Sequence, residues 1–246
     1  VAFDLETTGF SPIQDKIIEI GAVKVEQGRI TERFSTFVNP KIPIPFKITD
    51  LTGITDDMVM DAEPVEEVLP KFLDFVGDAV LVAHNAGFDV SFIEQNCRYQ
   101  EIEKEFISVD TVALARVLLP TLSKYKLNVV AKALNISLEN HHRAVDDAQA
   151  TAEIFVRFVE MLKDREIFTL KELNHFGSMN PDAIRKLPSH HAVILAKNET
   201  GRVNLYRLIS MSHLQYFSRM PRIPKSEFLR YRDGLIIGRS EEHTSE

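Results

Sequence analysis

Asp4 and Glu6 stand two residues apart near the start of the chain, in Phe3-Asp4-Leu5-Glu6, where apolar and acidic residues alternate. That alternation predicts a strand over residues 1–6, so both carboxylates leave one face while Phe3 and Leu5 bury the other and hold the pair rigidly. Side by side, two carboxylates repel, and near neutral pH one protonates unless a cation lies between them. Hard oxygen ligands on a rigid strand suit Mg²⁺ or Mn²⁺. An Asp-x-Glu by itself is equally the solvated end of a strand. Thr7-Thr8-Gly9 tilts the balance toward chemistry, because a turn there offers backbone N–H groups and hydroxyls beside the carboxylates.

Two further stretches carry similar residue types. His84-Asn85-Ala86-Gly87-Phe88-Asp89 spans the junction of a short strand and a helix. Asp89 there is either a first-turn acid favoured by the helix dipole or a member of the acidic site, and Asn85 is equally a plain helix cap. His142-Arg143-Ala144-Val145-Asp146-Asp147 opens a long helix. Asp147 lies three residues after Ala144 and one before Ala148, so it borders the apolar face turned toward the sheet. Asp146 points about 100° away, as a solvated acid. His142 precedes the helix in a loop, from which an imidazole can reach a water in the cleft. Histidine changes charge near neutrality unperturbed, as a general base requires. A loop histidine is also commonly just exposed, which is the reading for His141.

The elements that must position these residues follow from periodicity. Ile17–Val25 and Arg29–Val38 read as two strands joined in a hairpin by Glu26-Gln27-Gly28. The Pro-rich stretch Asn39–Phe46 reads as a loop. Pro64 opens a helix with Val65, Val68, Leu69, Phe72 and Phe75 on one face, ended by Gly77. Ala79–Ala83 is a short buried strand, a helix runs from Asp89 with Val90, Ile93 and Cys97 inward, and Phe106–Val109 is another short apolar run. Helices follow at Asp110–Leu118, capped by Asp110-Thr111 and closed by Pro120, and at Leu127–Leu134. Ala144, Ala148, Ala152, Phe155, Val159 and Leu162 mark one face of the long helix. Three strands, then alternating helices and short strands, predict an α/β layer fold with a mixed sheet. After residue 166 the pattern becomes a helix near 169–176, a strand at Ala192–Ala196, a helix at Val203–Ser212 and a loop marked by Pro221 and Pro224.

Asp4-Leu5-Glu6-Thr7-Thr8-Gly9, then Asn85-Ala86-Gly87-Phe88-Asp89, then His142 with Asp147 five residues on, resembles the DEDDh family of 3′→5′ exonucleases. Three motifs in order are a strong signal where each alone is weak. The resemblance covers residues 1–165 and implies a ribonuclease H-like fold. It implies that Asp4, Glu6, Asp89 and Asp147 hold two divalent ions, Mg²⁺ or Mn²⁺, with His142 as general base, and that nucleoside 5′-monophosphates leave the 3′ end of single-stranded DNA. By the same resemblance, Thr7, Thr8 and Asn85 contact the terminal nucleotide, and Phe88 and Phe92 line the site for the last bases. Leu51-Thr52-Gly53-Ile54 matches the loop that wedges against the 3′ end. For the apolar residues, plain core packing is the competing reading.

The 246 residues, 44% hydrophobic and 26% charged, suit a soluble chain of one domain and part of a second. No apolar run reaches the roughly 18 residues needed to cross a bilayer. The single cysteine, Cys97, excludes an internal disulfide framework and a Cys-rich zinc site, and fits a reducing cytoplasm. Opening inside a strand, without Met or signal peptide, the chain reads as cut at its N-terminus. Residues 1–166 carry 17 basic and 28 acidic residues, a net of −11, whereas residues 167–238 carry 11 and 5, a net of +6. An acidic body argues against a sequence-independent phosphate-binding surface over the whole unit, but leaves a metal-neutralised cleft open.

Residues 166–238 are similar to the PHP-domain segment that follows the exonuclease in PolC-type DNA polymerase III, carried by His191–Gly201, Asn204–Ser210 and Pro221–Ser226. This implies a bacterial, cytoplasmic replicative polymerase as the parent, with the rest of that chain and the sliding clamp as partners. His190, His191 and His213 read as structural or exposed residues without the other half of such a domain. Arg219, Arg222, Lys225, Arg230 and Arg232 form either a DNA-facing run or a solvated face. Residues 239–246 match the translation of a common sequencing-library adapter and are set aside as an artefact. The competing functions are a free-standing or helicase-linked exonuclease, and a catalytically silent nucleic-acid or replisome-binding module.

Overall fold

The alternating residues at the start of the chain form β1 (Ala2–Thr7), the middle strand of a five-stranded sheet of order β3-β2-β1-β4-β5. On one side β1 pairs antiparallel with β2 (Ile17–Glu26), which pairs antiparallel with β3 (Arg29–Phe37). Gln27 and Gly28 join them with φ of 51° and 78°, the left-handed conformations that a two-residue hairpin turn requires. The loop beyond β3 ends at the expected place, but two short helices that the sequence pattern does not announce follow it, α1 (Phe46–Thr52) and α2 (Asp56–Val59). Next come α3 (Val65–Val76), β4 (Leu81–Ala83), α4 (Ala86–Tyr99), β5 (Ser108–Asp110), α5 (Thr111–Leu118), α6 (Leu127–Ala133) and α7 (Ala144–Lys163). β4 runs parallel to β1 and β5 parallel to β4, so the sheet is mixed, as expected.

The two faces of the sheet are covered by different helices. Phe3, Leu5, Ile20 and Ala22 pack with Val68, Leu69 and Phe72 of α3 and with Val90, Phe92 and Ile93 of α4. On the opposite face Ala2, Val23 and Val82 meet Ala152 of α7. Ile18, Ile44, Ile54 and Val59 form a separate cluster beneath α1 and α2. Because Asp4 and Glu6 share the face of Ala2, the fold turns them toward α7.

A computed structural model describes residues 1–138, 143–169, 172–173, 191–217 and 220–239, and the chain divides into two units, Val1–Asp164 and Arg165–Glu246. In the second unit β6 (Ala192–Ala196) pairs antiparallel with β7 (Leu235–Arg239), and α8 (Glu199–Leu214) and α9 (Lys225–Arg230) lie between them in sequence. α8 begins four residues before the expected Val203 because the Asn198 side chain caps it, accepting from Gly201 N at 2.9 Å. Gly201 lies directly against the Gly234 backbone, which ties α8 to the start of β7. His191 and His213 are exposed, and Arg230 pairs with Glu227 at 3.9 Å. The expected helix near 169–176 falls mostly outside the described residues, as do His190, Arg219 and 240–246. Among the described residues no helix is long and apolar enough to cross a membrane.

Candidate active site

Across β1 and β2, Asp4 pairs with Gly21 and Glu6 with Glu19. The missing side chain at Gly21 is what admits α7: a Cβ there would lie 2.1 Å from the Ala144 carbonyl carbon. One helical turn on, Asp147 is 4% exposed and reaches back to the strand. Asp4, Glu6 and Asp147 each bring a carboxylate oxygen within 4.8 Å of the other two.

Asp89 arrives from the other side of β1. Ala2 pairs with Val82 of β4, and further along β1 the Leu5 N–H is left for another acceptor. Asp89, in the first turn of α4 and 3% exposed, accepts it through Oδ1 at 3.1 Å. Asp89 is not one of the three that converge within 4.8 Å. It sits beside them nonetheless, since its charge bears on both Asp4 and Glu6.

Burial is the first cause of unusual acidity here, and mutual repulsion the second. The Asp4 carboxyl is held well above the usual carboxylate range by burial and then by Asp89, Glu6, Asp147 and Glu19. Burial, then Asp147 and Glu19, push Glu6 up to about 8. Burial raises Asp89 to about 7 against the opposing Leu5 N–H bond. Such a cluster takes up protons for want of positive charge, and all its donors are hard oxygens. It therefore fits a divalent cation, which would replace those protons.

The threonine hydroxyls beside the site bond within the chain. Thr7 Oγ1 donates to Gly9 O at 2.6 Å, while Thr8 Oγ1 accepts from Lys16 N at 2.9 Å and Thr8 N donates to Lys16 O at 2.8 Å. Asp15 accepts from Ser11 N at 2.8 Å and packs where a Cβ on Gly9 would stand. Both residues are buried and their hydroxyls bond within the 7–16 segment, so they set the geometry of the turn beside the carboxylates. Thr52 is likewise turned inward, donating to Ile48 O and accepting from Ile54 N, and Ile54 is core. Leu51, on the last turn of α1 and not in a loop, does project into solvent.

Phe92 is fully buried in the core of α3, α4 and β1, so it is not a lining residue. It supports Phe88 at 5.1 Å, and Phe88 in turn meets Phe10 edge-on at 6.3 Å. Phe10, which the sequence reading passed over, is 82% exposed. Its signal was its position directly after the Thr-Thr-Gly turn. Asn85 is exposed at the start of α4 with φ of 74° and makes no side-chain cap bond, contrary to the plain-cap alternative. Its backbone N–H is held by Asp110 Oδ1 at 3.0 Å, and the same oxygen caps α5 through Val112 N at 2.9 Å. His84 bridges Thr111 Oγ1 and Tyr125 O, each at 2.8 Å, and burial lowers its pKa, so it is a neutral strut. His142 lies outside the described residues.

Glu19 was also missed. It is 1% exposed, and its carboxylate accepts from Arg143 Nη2 at 2.9 Å, Arg143 Nε at 3.2 Å and Ala144 N at 3.1 Å. A lone acid inside the apolar run Ile17-Ile18-Glu19-Ile20 is a buried charge in need of a partner, and that was the readable signal.

Residues 1–155 match the family described as Exonuclease. Over 239 residues, 97% of this chain, the sequence is 58% identical to DNA polymerase III PolC-type of Clostridium perfringens, but it spans only 16% of that relative's length. Among solved structures, exonuclease X in complex with 5′ overhanging duplex DNA is 28% identical with a TM-score of 0.55, over 71% of this chain and 96% of that one. The nuclease domain of 3′hExo, a DEDDh family member bound to rAMP, shares the fold at 23% identity and a TM-score of 0.58, over 68% and 92%. The sheet order, the acidic cluster between β1 and α7 and the family match over residues 1–155 agree, and the chain belongs to the exonuclease family.

Proposed function

We propose that this chain is the 3′→5′ proofreading exonuclease segment of a PolC-type replicative DNA polymerase in a bacterial cytoplasm, acting on single-stranded DNA 3′ ends. The observation that carries the reading is the meeting of Asp4, Glu6 and Asp147 within 4.8 Å, with buried Asp89 beside them. Asp4, Glu6, Asp89 and Asp147 would hold two Mg²⁺ or Mn²⁺ ions. When bound, these would lower the pKa of a water and neutralise charge at the scissile phosphate and the leaving oxygen. His142, one residue before Arg143, would take the proton of the attacking water. Water adds at phosphorus, the bond to the 3′ oxygen breaks with return of a proton to it, and a nucleoside 5′-monophosphate leaves. Phe10 and Phe88 would offer ring surface to the terminal bases, and Asn85 and Leu51, both exposed, would contact the strand end; an unpaired end suits such stacking, because a paired one must first unstack.

In this reading residues 1–165 are the catalytic unit, residues 166–238 a segment of a PHP-like domain, and residues 239–246 adapter-derived. The rest of a polymerase chain and a sliding clamp would be the partners. The test is digestion of 5′-labelled single-stranded DNA with Mg²⁺ or Mn²⁺. A ladder shortening from the 3′ end, abolished by EDTA and absent in Asp147→Ala, is expected. Removing one ligand forfeits several kcal/mol of transition-state stabilisation, a loss of roughly a thousandfold or more. An inert wild-type chain with a native thermal transition would leave the silent binding module standing instead.

A further inference from the structure

We infer that Glu19 and Arg143 are a positioning pair: together they clamp the first turn of α7 to β2, and thereby set where Asp147 stands relative to Asp4 and Glu6. The inference rests on the reading of these carboxylates as a metal site. Its starting point is a helix that lacks its own cap. Arg143 occupies the cap position of α7, and its side chain makes no capping bond. Arginine carries no acceptor, so the first N–H groups of the helix need one from elsewhere. Glu19 supplies it across the sheet, accepting from Ala144 N at 3.1 Å. The same carboxylate takes two N–H groups of Arg143, at 2.9 and 3.2 Å, so one buried side chain fixes both the backbone and the side chain of the helix start.

The location is costly on any account of stability alone. Glu19 is the cross-strand partner of Glu6, which puts a fifth carboxylate against a cluster already short of positive charge. A buried ion pair is commonly no better for stability than apolar residues of equal volume. An apolar pair would anchor α7 without adding repulsion, but it would not fix direction. Charge-assisted bonds to Nε, Nη2 and a backbone N–H fix three vectors at once. The clamp is carried onward within one turn, where Asp147 N donates to Arg143 O at 3.0 Å. Phe37 backs the guanidinium, its ring centroid 5.3 Å away, so Arg143 is held from both sides.

The test compares Glu19→Gln, Arg143→Met and the double variant in the whole chain. Mn²⁺ binding is read by calorimetry, and kcat and KM on single-stranded DNA are measured in parallel. Partners that orient metal ligands typically contribute about 10- to 100-fold in metal affinity or activity. Each single variant is therefore expected to keep a cooperative thermal transition, lowered where a buried partner is left unpaired, to bind Mn²⁺ about 10- to 100-fold more weakly and to lose kcat, with KM for DNA unchanged. The double variant should be no worse than the weaker single one, because the two residues act as a unit. Wild-type Mn²⁺ affinity in the folded variants, or additive losses, would overturn the pair. If Glu19→Gln does not fold, Arg143→Met decides, since that side chain is 40% exposed and methionine keeps its contact with Phe37. A wild-type chain that binds no Mn²⁺ would overturn the metal site itself and the pair with it, whereas wild-type binding with unaffected variants sinks the pair alone.

Discussion

At the scale of single residues the site is a cluster of like charges held in place against their repulsion. Glu6 is displaced from 4.5 to about 8 in the folded chain, first by burial. A carboxyl with a raised folded pKa favours the native state fully below its unfolded value, and that contribution is lost as pH rises through the folded one. In EDTA the melting temperature should therefore fall between pH 4.5 and about 8, and Mn²⁺ should restore it most at the upper end. Scanning calorimetry at four pH values checks this, and a flat profile would refute it. For the same reason Asp4→Asn should raise the metal-free melting temperature at pH 8 while destroying activity, by about 2–4 °C for each kcal/mol of repulsion relieved. Phe10 tests the other half of the site. It is exposed, so Phe10→Ala should leave stability alone, yet lose about 1–3 kcal/mol of base stacking, a rise in KM of roughly 5- to 150-fold. Asp4, Glu6 and Asp147 were legible because spacing on a strand and a helix dictates direction. That the hydroxyls of Thr7, Thr8 and Thr52 bond within their own turns was not legible, because a hydroxyl beside a turn commonly satisfies the turn itself, and sequence does not reveal which acceptor is nearer.

At the scale of elements, the decisive contact is α7 crossing β2 at Gly21. Asp4 is the register partner of Gly21, so the same absence of a side chain that admits the helix also brings its first turn over the acidic strand. Gly21→Ala would place a methyl group 2.1 Å from the Ala144 backbone, and backbone cannot swing aside as a flexible side chain can. The expected result is a loss of about 1–3 kcal/mol from overpacking, together with weaker Mn²⁺ binding as Asp147 moves away from Asp4 and Glu6. Chemical denaturation and a Mn²⁺ titration measure the two effects, and unchanged metal affinity in Gly21→Ala would show that α7 reaches its place by other contacts. Periodicity revealed β1 to β3, α3 and α7 because each has a long apolar face against the core. It gave no sign of α1 and α2, which are short and begin after prolines or loop residues. Their stability comes from tertiary burial of Ile44, Ile54 and Val59, not from local pattern. The start of α4 was set three residues late because Ala86, Gly87 and Phe88 carry no starting signal, and the helix begins from a left-handed Asn85 held by Asp110.

At the scale of the whole molecule, the charge division in the sequence coincides with a change in organisation. The acidic segment holds every buried apolar cluster described above and all the described site residues, within Val1–Asp164. Beyond it, Val193, Leu195, Ile236 and Ile237 of the β6–β7 pair are about half exposed, and among the described residues no buried apolar cluster forms around them. That contrast was only partly readable: the apolar run Ala192–Ala196 announced β6, but a strand and a helix do not state what they pack against. If the first unit is self-sufficient, residues 1–164 expressed alone should fold with a single cooperative transition. They should shorten 5′-labelled single-stranded DNA with the kcat of the whole chain, within about twofold. The net charge of that unit implies few direct lysine and arginine contacts to phosphate, so its KM should depend only weakly on salt. Loss of activity from residues 1–164 that are shown to be folded would mean that the second unit contributes to substrate handling. Loss of folding would mean that the apolar clusters of the first unit are insufficient without it. Equal activity in the two chains would place the whole exonuclease in the acidic unit and free the basic segment for a separate role.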